Sequence, residues 1–260
     1  MITIDTILAE LSSKRETLSK EIAERNDEEI KVISQNGCWD FVSFMMQLSR
    51  TLRINDCPFN ISHKSPSFLS SVFNTLGIVE LPQLTSENCG LSLNGIAESI
   101  FTDSPSVEIY TNDIGEEVIG KILNEYHGHF NVKVLCNRKA GRINRMLERI
   151  NTSRHQTLDI KSVSLDDKKA FEVINGIDWF GVTDKYIDTW QIEAVRRICP
   201  QTIRQLCASL YLSFHRLLFV KAPDTLLDQE LLLFLGQALE VYTLAYLKCN
   251  YNEEFWQGIR

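Results

Sequence analysis

No CxxC pair occurs in this 260-residue sequence, whose seven cysteines (Cys38, Cys57, Cys89, Cys136, Cys199, Cys207 and Cys249) are odd in number and scattered. That spacing excludes a zinc ribbon and a disulfide framework, and suits a reducing compartment where thiols stay free and mostly buried. Met1-Ile2-Thr3-Ile4-Asp5 has neither the basic start nor the apolar run of a signal peptide. The most apolar stretch, Leu231 to Leu247, is interrupted by Gln237 and Glu240 and followed by Lys248, so it is expected to be a buried helix and not a membrane span. The expected location is cytoplasmic, with no membrane partner. GxxxxGK[ST], GxGxxG, GxSxG and HExxH are all missing, and no cofactor or metal is expected. Cations are outnumbered: a net charge of -7 argues against coating nucleic acid by bulk electrostatics. What is present is ordinary for a folded chain. A hydrophobic content of 44% with 23% charged residues supplies the core of one large domain or two small ones.

Residues 1–36 are expected to form a helical arm. Ile4, Leu8, Leu11, Leu18 and Ile22 recur at helical steps, with Glu10, Lys14, Glu16, Lys20, Glu21 and Glu24 between them. Arg15 and Arg25 fall where that stripe should be apolar, which speaks against a long independent coiled coil.

Residues 37–102 begin with a helical pattern, Trp39 to Leu52. Ser65-Pro66-Ser67 then reads as a helix start leading into Phe68, Leu69, Val72, Phe73 and Leu76. Leu76-Gly77-Ile78-Val79-Glu80-Leu81, a polar loop, Leu91-Ser92-Leu93 and a helix to Phe101 complete the segment. This order resembles the second half of winged-helix domains, which implies a recognition helix presenting Lys64, Ser67 and Asn74 and a two-stranded wing. Cations are few there: Arg50, Arg53 and Lys64 face Asp40, Asp56, Glu80, Glu87 and Glu98. A protein-contact role is expected at least as much as a DNA-binding one.

Residues 103–190 change period. Val107 to Tyr110, Val132 to Leu135 and Leu158 to Val163 read as strands, with helices at Ile114 to Tyr126 and Arg142 to Ile150. Ala170 to Ile174 and Ile177 to Val182 are expected to pair across Asn175-Gly176, a strong hairpin signal. The expected sheet is small and mostly parallel. The order resembles one half of a phospholipase-D-like domain. The matching stretch, Asp166 to Phe171, carries Lys169 but no histidine, so the resemblance implies a non-catalytic copy. Archaeal sugar-responsive regulators are similar in joining a winged helix to such a domain.

The same region holds the one strong charge anomaly. Arg138, Lys139, Arg142, Arg145, Arg149 and Arg154 are opposed only by Glu148, six positive against one negative. Arg142, Arg145 and Arg149 are spaced i, i+3 and i+7 on one helix face, leaving Ile143, Leu147 and Ile150 for the sheet. Arg138 and Lys139 follow a strand, at the edge where open α/β sheets bind ligands. The expectation is an anion site for nucleic acid or another polyanion, weighed against a solvated face paired with Glu116 and Glu117.

Two lesser motifs each carry two readings. His127-Gly128-His129 falls after a helix, where Gly128 reads as a C-cap and not as part of a metal site. Asp159-Ile160-Lys161 resembles the acidic-x-Lys half of metal-dependent nuclease cores, with Asp113 as partner carboxylate. That supplies the alternative function, a metal-dependent nuclease or phosphodiesterase, against an ordinary charged strand. Residues 191–260 read as a helical hairpin, Tyr186 to Phe219 and Leu226 to Tyr246, broken at Ala222-Pro223-Asp224. Phe255 and Trp256 suggest a docked tail.

The expected fold is thus α+β: a helical arm and winged helix, then a small mostly parallel sheet with a hairpin, capped by C-terminal helices. The expected function is a non-enzymatic regulatory or scaffolding component that binds a polyanion and a protein partner or a second copy.

Overall fold

A computed structural model describes residues 2–82, 84–126, 128–136, 142–155, 157–176, 189–217 and 221–251. It is an α+β protein in which helices predominate over one small mixed sheet. The chain divides into two units, Met1–Leu81 with Asn94–Gly141 and Pro82–Leu93 with Arg142–Arg260.

The first unit opens with α1 (Ile4–Lys14) and α2 (Lys20–Gln35), where the apolar stripe predicts one continuous helix. Ser19 separates them, because its hydroxyl accepts the Ile22 N–H and starts α2 afresh. Next come α3 (Trp39–Ile54), β1 (Asn60–Ile61), a 3-10 turn at Pro66–Leu69 and the short α4 (Ser71–Thr75). The α5 helix (Ser86–Cys89) follows in sequence but belongs to the second unit. After the α6 helix (Ile96–Ile100) the chain enters β2 (Ser106–Thr111), α7 (Asp113–Leu123) and β3 (Asn131–Cys136).

The sheet order is β1-β2-β3. β2 and β3 pair in parallel, Val107 opposite Val132 and Ile109 opposite Val134, as a βαβ passage through α7 requires. β1 adds antiparallel, Asn60 opposite Tyr110, and has no counterpart among the expected strands. The core of this unit is aromatic. Phe41 lies 5.7 Å from Phe73 and 5.5 Å from Phe130, and Phe73 stands edge-on to Phe101 at 5.8 Å.

The wing strands expected at 78–81 and 91–93 do not form: no strand occurs among the described residues between Leu76 and Gly95. Ile78 and Val79 are both buried, which a half-exposed strand with alternating faces would not allow. The two segments also belong to different units.

The second unit comprises α5, α8 (Arg142–Arg154), α9 (Lys168–Asn175), α10 (Thr189–Ile198), α11 (Ile203–Phe214) and α12 (Asp228–Asn250). Three expectations are corrected here. Leu158 to Val163 is a loop with a 3-10 turn at Ile160–Ser162, because the Asp159 carboxylate accepts the Lys161 N–H and curls the backbone. Ala170 to Ile174 is helical and not a hairpin arm. Asp167 caps it, and Ala170, Phe171 and Ile174 bury one helical face. Gly176 takes φ −79°, whereas the expected turn needs a positive value. The other arm, 177–182, lies outside the described residues. The single long helix expected to end at Phe219 is two, α10 and α11. The chain breaks at Cys199 (φ 51°) and Pro200, and Thr202 caps α11 through the Gln205 N–H.

In α12 the residues from Leu235 to Leu247 are buried almost all round. By length and composition this helix could cross a membrane, and 61% of its most apolar window is buried within the protein. Phe171 packs on Tyr242 at 5.0 Å between α9 and α12.

Candidate functional site

The basic segment folds as expected where it is described. α8 runs from Arg142 to Arg154, with Met146, Leu147 and Ile150 buried. At about 100° per residue, positions 142, 145 and 149 fall within about 60° of one another, beside the buried sector. Arg149 and Glu148 are exposed. The side chains of Arg142 and Arg145, and all of Arg138 and Lys139, lie outside the described residues. Arg154 stands apart from the other three, one turn further on and toward the buried sector. Its guanidinium lies 4.9 Å from the Tyr251 ring centroid. That is a cation–π contact with the end of α12.

The helix is held by its return loop. Asn151 donates to the Leu158 carbonyl at 2.9 Å and accepts the Leu158 N–H at 2.6 Å. His155, at φ 50°, turns the chain out of the helix. Among the described side chains of α8, Arg149 is exposed while Met146, Leu147 and Ile150 are buried.

The residues expected on a recognition helix are placed differently. Lys64 is exposed, but it precedes the helical turns. Ser67 is fully buried and donates to the Ser106 carbonyl at 3.1 Å. Asn74 is half-buried and accepts the Leu81 N–H. α4 spans five residues and buries Ser71, Val72, Phe73 and Thr75, so it offers no reading face.

Asp113 opens α7 in the first unit, while Asp159 and Lys161 sit in the 3-10 turn of the second. Asp159 and Lys161 meet only through the backbone N–H of Lys161. Among the described residues no group of three His, Cys, Asp or Glu side chains is arranged to hold a metal ion. The α7 helix ends at Leu123 with Asn124 as its cap, so Gly128 is not that cap. A side chain at Gly128 would lie 2.9 Å from both Asp40 Cβ and the Phe130 ring, and this close approach explains the glycine. His127 lies outside the described residues, and His129 is exposed at the entry to β3. Of the six cysteines whose side chains are described, Cys38, Cys57, Cys89 and Cys207 are buried thiols, and burial pushes Cys207 well above the ordinary range.

Two other clusters have no signature in the sequence patterns above. The first is buried between α2 and α4. The Glu29 carboxylate accepts from the Ser70 hydroxyl (2.6 Å) and from the Ser71 (2.7 Å) and Val72 (3.0 Å) N–H groups, beside Arg25. It thereby caps α4 from another helix. Burial pushes its carboxyl up, and Arg25 with the three donors pulls against that shift. The second cluster is a surface group of rings at the end of α11. His215 lies 4.5 Å from Tyr211 and 5.1 Å from Phe214, and Phe214 lies 5.6 Å from Phe234 of α12. Phe214 is 70% exposed. The signal that could have found it is charge: no acidic residue occurs between Glu193 and Asp224.

Compared with protein-family models and with curated proteins, the chain matches none.

Proposed function

We propose that this protein is a non-enzymatic regulatory or scaffolding component that binds a polyanion through α8 and a protein partner through its helical surfaces. The observation that carries the polyanion reading is the charge of that helix. Four arginines and one glutamate occupy a helix whose apolar residues are anchored, in a chain of net charge -7. Such a local excess in an acidic protein raises the positive potential around that helix. The anion surface requires neither a winged helix nor a phospholipase-D-like architecture.

The test is binding of labelled duplex DNA, duplex RNA and heparin at low and moderate salt. Positions 142, 145 and 149 are reversed together by Arg→Glu in the comparison protein. Wild-type binding is expected to weaken with salt. In the reversed protein the slope of log affinity against log salt should fall by about one for each phosphate that is no longer neutralised. Unchanged helical circular dichroism would show that the fold persists. Absence of salt-sensitive binding in the wild type would overturn the reading.

A further inference from the structure

The two edges of the sheet are unlike. β1 closes its side with two residues, and so short a strand gives another chain little to pair with. β3 is six residues long and ends the other side. The direction of its backbone groups follows from the ladder. Asn131 donates its N–H to the Pro105 carbonyl at 2.9 Å, so Asn131, Lys133 and Leu135 turn their N–H and C=O groups toward β2. Val132, Val134 and Cys136 therefore turn theirs outward. Among the described residues no hydrogen-bonding group meets them.

An edge of this length is ordinarily guarded by a proline, a bulge or a free charge. β3 has no proline, and its register with β2 runs unbroken from Asn131 to Cys136. Its one charge, Lys133, is drawn inward to Glu108 of β2 at 2.6 Å. Val132 and Val134 are half-buried beside Val107 and Ile109, which are fully buried. The apolar layer that is closed over β2 thus runs out at β3.

A row of alternating N–H and C=O groups is matched along its length by another extended strand. Every copy of this protein carries one whose register on itself is fixed. Antiparallel pairing sets outward residues against outward residues. All three find partners when Val134 lies on the two-fold axis: Val134 then faces Val134, and Val132 faces Cys136. Lys133 falls opposite Leu135. Sliding the strands by two residues one way sets Lys133 against Lys133, a like-charge pair. Sliding them the other way leaves Val132 unpaired.

We propose that β3 is a dimerisation edge, where two copies pair antiparallel and join their sheets into one. The proposal uses no residue of α8 and is independent of the polyanion reading.

The experiment is sedimentation velocity of the full chain across a range of concentration, with hydrogen exchange of the β3 amides. Wild type, Val134→Lys and Val134→Pro are compared. Val134→Lys brings two ammonium groups together at the axis, and Val134→Pro removes an outward N–H while sparing the bonds to β2. Wild type is expected to dimerise, and the Val132 and Val134 amides should gain protection as it does. The inward Lys133 and Leu135 amides should be protected throughout. Each variant should raise the dissociation constant by more than about tenfold, the scale of a like-charge or broken backbone contact at an interface. Circular dichroism checks that the variants fold; if neither does, exchange in the wild type decides alone. A monomer at every concentration would overturn the proposal, as would a dimer that both folded variants leave unchanged. Val132 and Val134 amides equally protected in the dilute monomer would show that the chain covers its own edge, and would overturn it too.

Discussion

Two buried polar side chains show how single residues hold this fold. Glu29 ends three hydrogen bonds and faces Arg25 with almost no solvent access. Glu29→Ala would leave the Ser71 and Val72 N–H groups without their acceptor and take the countercharge from Arg25. Removing one partner of a buried pair costs about 3–5 kcal/mol, and urea unfolding should show a loss of that size. The pH dependence has a definite sign. The folded carboxyl sits above its ordinary value, so folded protein holds a proton that the unfolded chain has released. The stability tied to that proton is complete below the ordinary glutamate value and is lost as pH rises through the raised one. Glu29→Gln cannot titrate, so the stability gap between wild type and this variant should narrow as pH rises through that window. Tyr242 plays a comparable part in the second unit. Its hydroxyl donates to the Ser164 carbonyl at 2.7 Å and accepts the Asp167 N–H at 2.9 Å. Tyr242→Phe should cost about 1–3 kcal/mol in thermal or urea unfolding, the penalty for buried groups left unmatched.

At the scale of elements, legibility follows the source of each signal. β2, α7, β3 and α8 are legible to within a few residues because each is set by its own periodicity. Arg25 stands out in the sequence as a misfit in the apolar stripe, but the partner that explains its burial, Glu29, sits one turn away and is fixed by α4. β1 is illegible because two residues carry no period; its place comes from Tyr110 and Ile109 across the ladder. Asn175-Gly176 misleads for the opposite reason. A turn dipeptide is a preference, and burial of Phe171 and Ile174 on a helical face outweighs it. In the candidate site, the α8 arginines are legible from charge alone. The Phe214 cluster is not, since exposure of a ring depends on which neighbours arrive. Two glycines of α7 give a sharp test of packing against propensity. A methyl at Gly115 would crowd the Thr111 hydroxyl and lie 3.2 Å from its Cγ2, whereas one at Gly120 meets nothing within 4 Å. Gly115→Ala should destabilise by about 1–3 kcal/mol through overpacking. Gly120→Ala should stabilise by about 0.5–1 kcal/mol as a better helix former. Thermal unfolding of the pair separates the two effects.

For the whole molecule, the two units do not follow one another along the chain. The segment Pro82–Leu93 leaves the first unit, joins the second, and the chain then returns to the first at Asn94. What fastens the segment to its unit is a small polar node. Asp228, at the start of α12, accepts the Ser92 N–H at 2.9 Å and pairs with Arg204 of α11, which also donates to the Leu226 carbonyl at 2.9 Å. Gly90 ends α5 at φ 68°, where a side chain would press on Arg204 Cβ at 3.4 Å. The Ser92 N–H, and then Arg204, hold the Asp228 carboxyl below its ordinary value. A carboxylate lowered in the folded state contributes stability that is present above its unfolded value, near 4, and is lost as pH falls through the folded one. Asp228→Asn removes that contribution at all pH values. The variant should therefore be less stable than wild type at neutral pH, and the difference should shrink below about pH 4. Hydrogen exchange at Ser92 is the sharper measurement, because that N–H loses its ionised acceptor. Its protection should drop in Asp228→Asn while that of buried amides in α12 changes little. Equal protection at Ser92 in both proteins would show that the segment is held by the apolar burial of Cys89, Leu91 and Leu93 and not by the node.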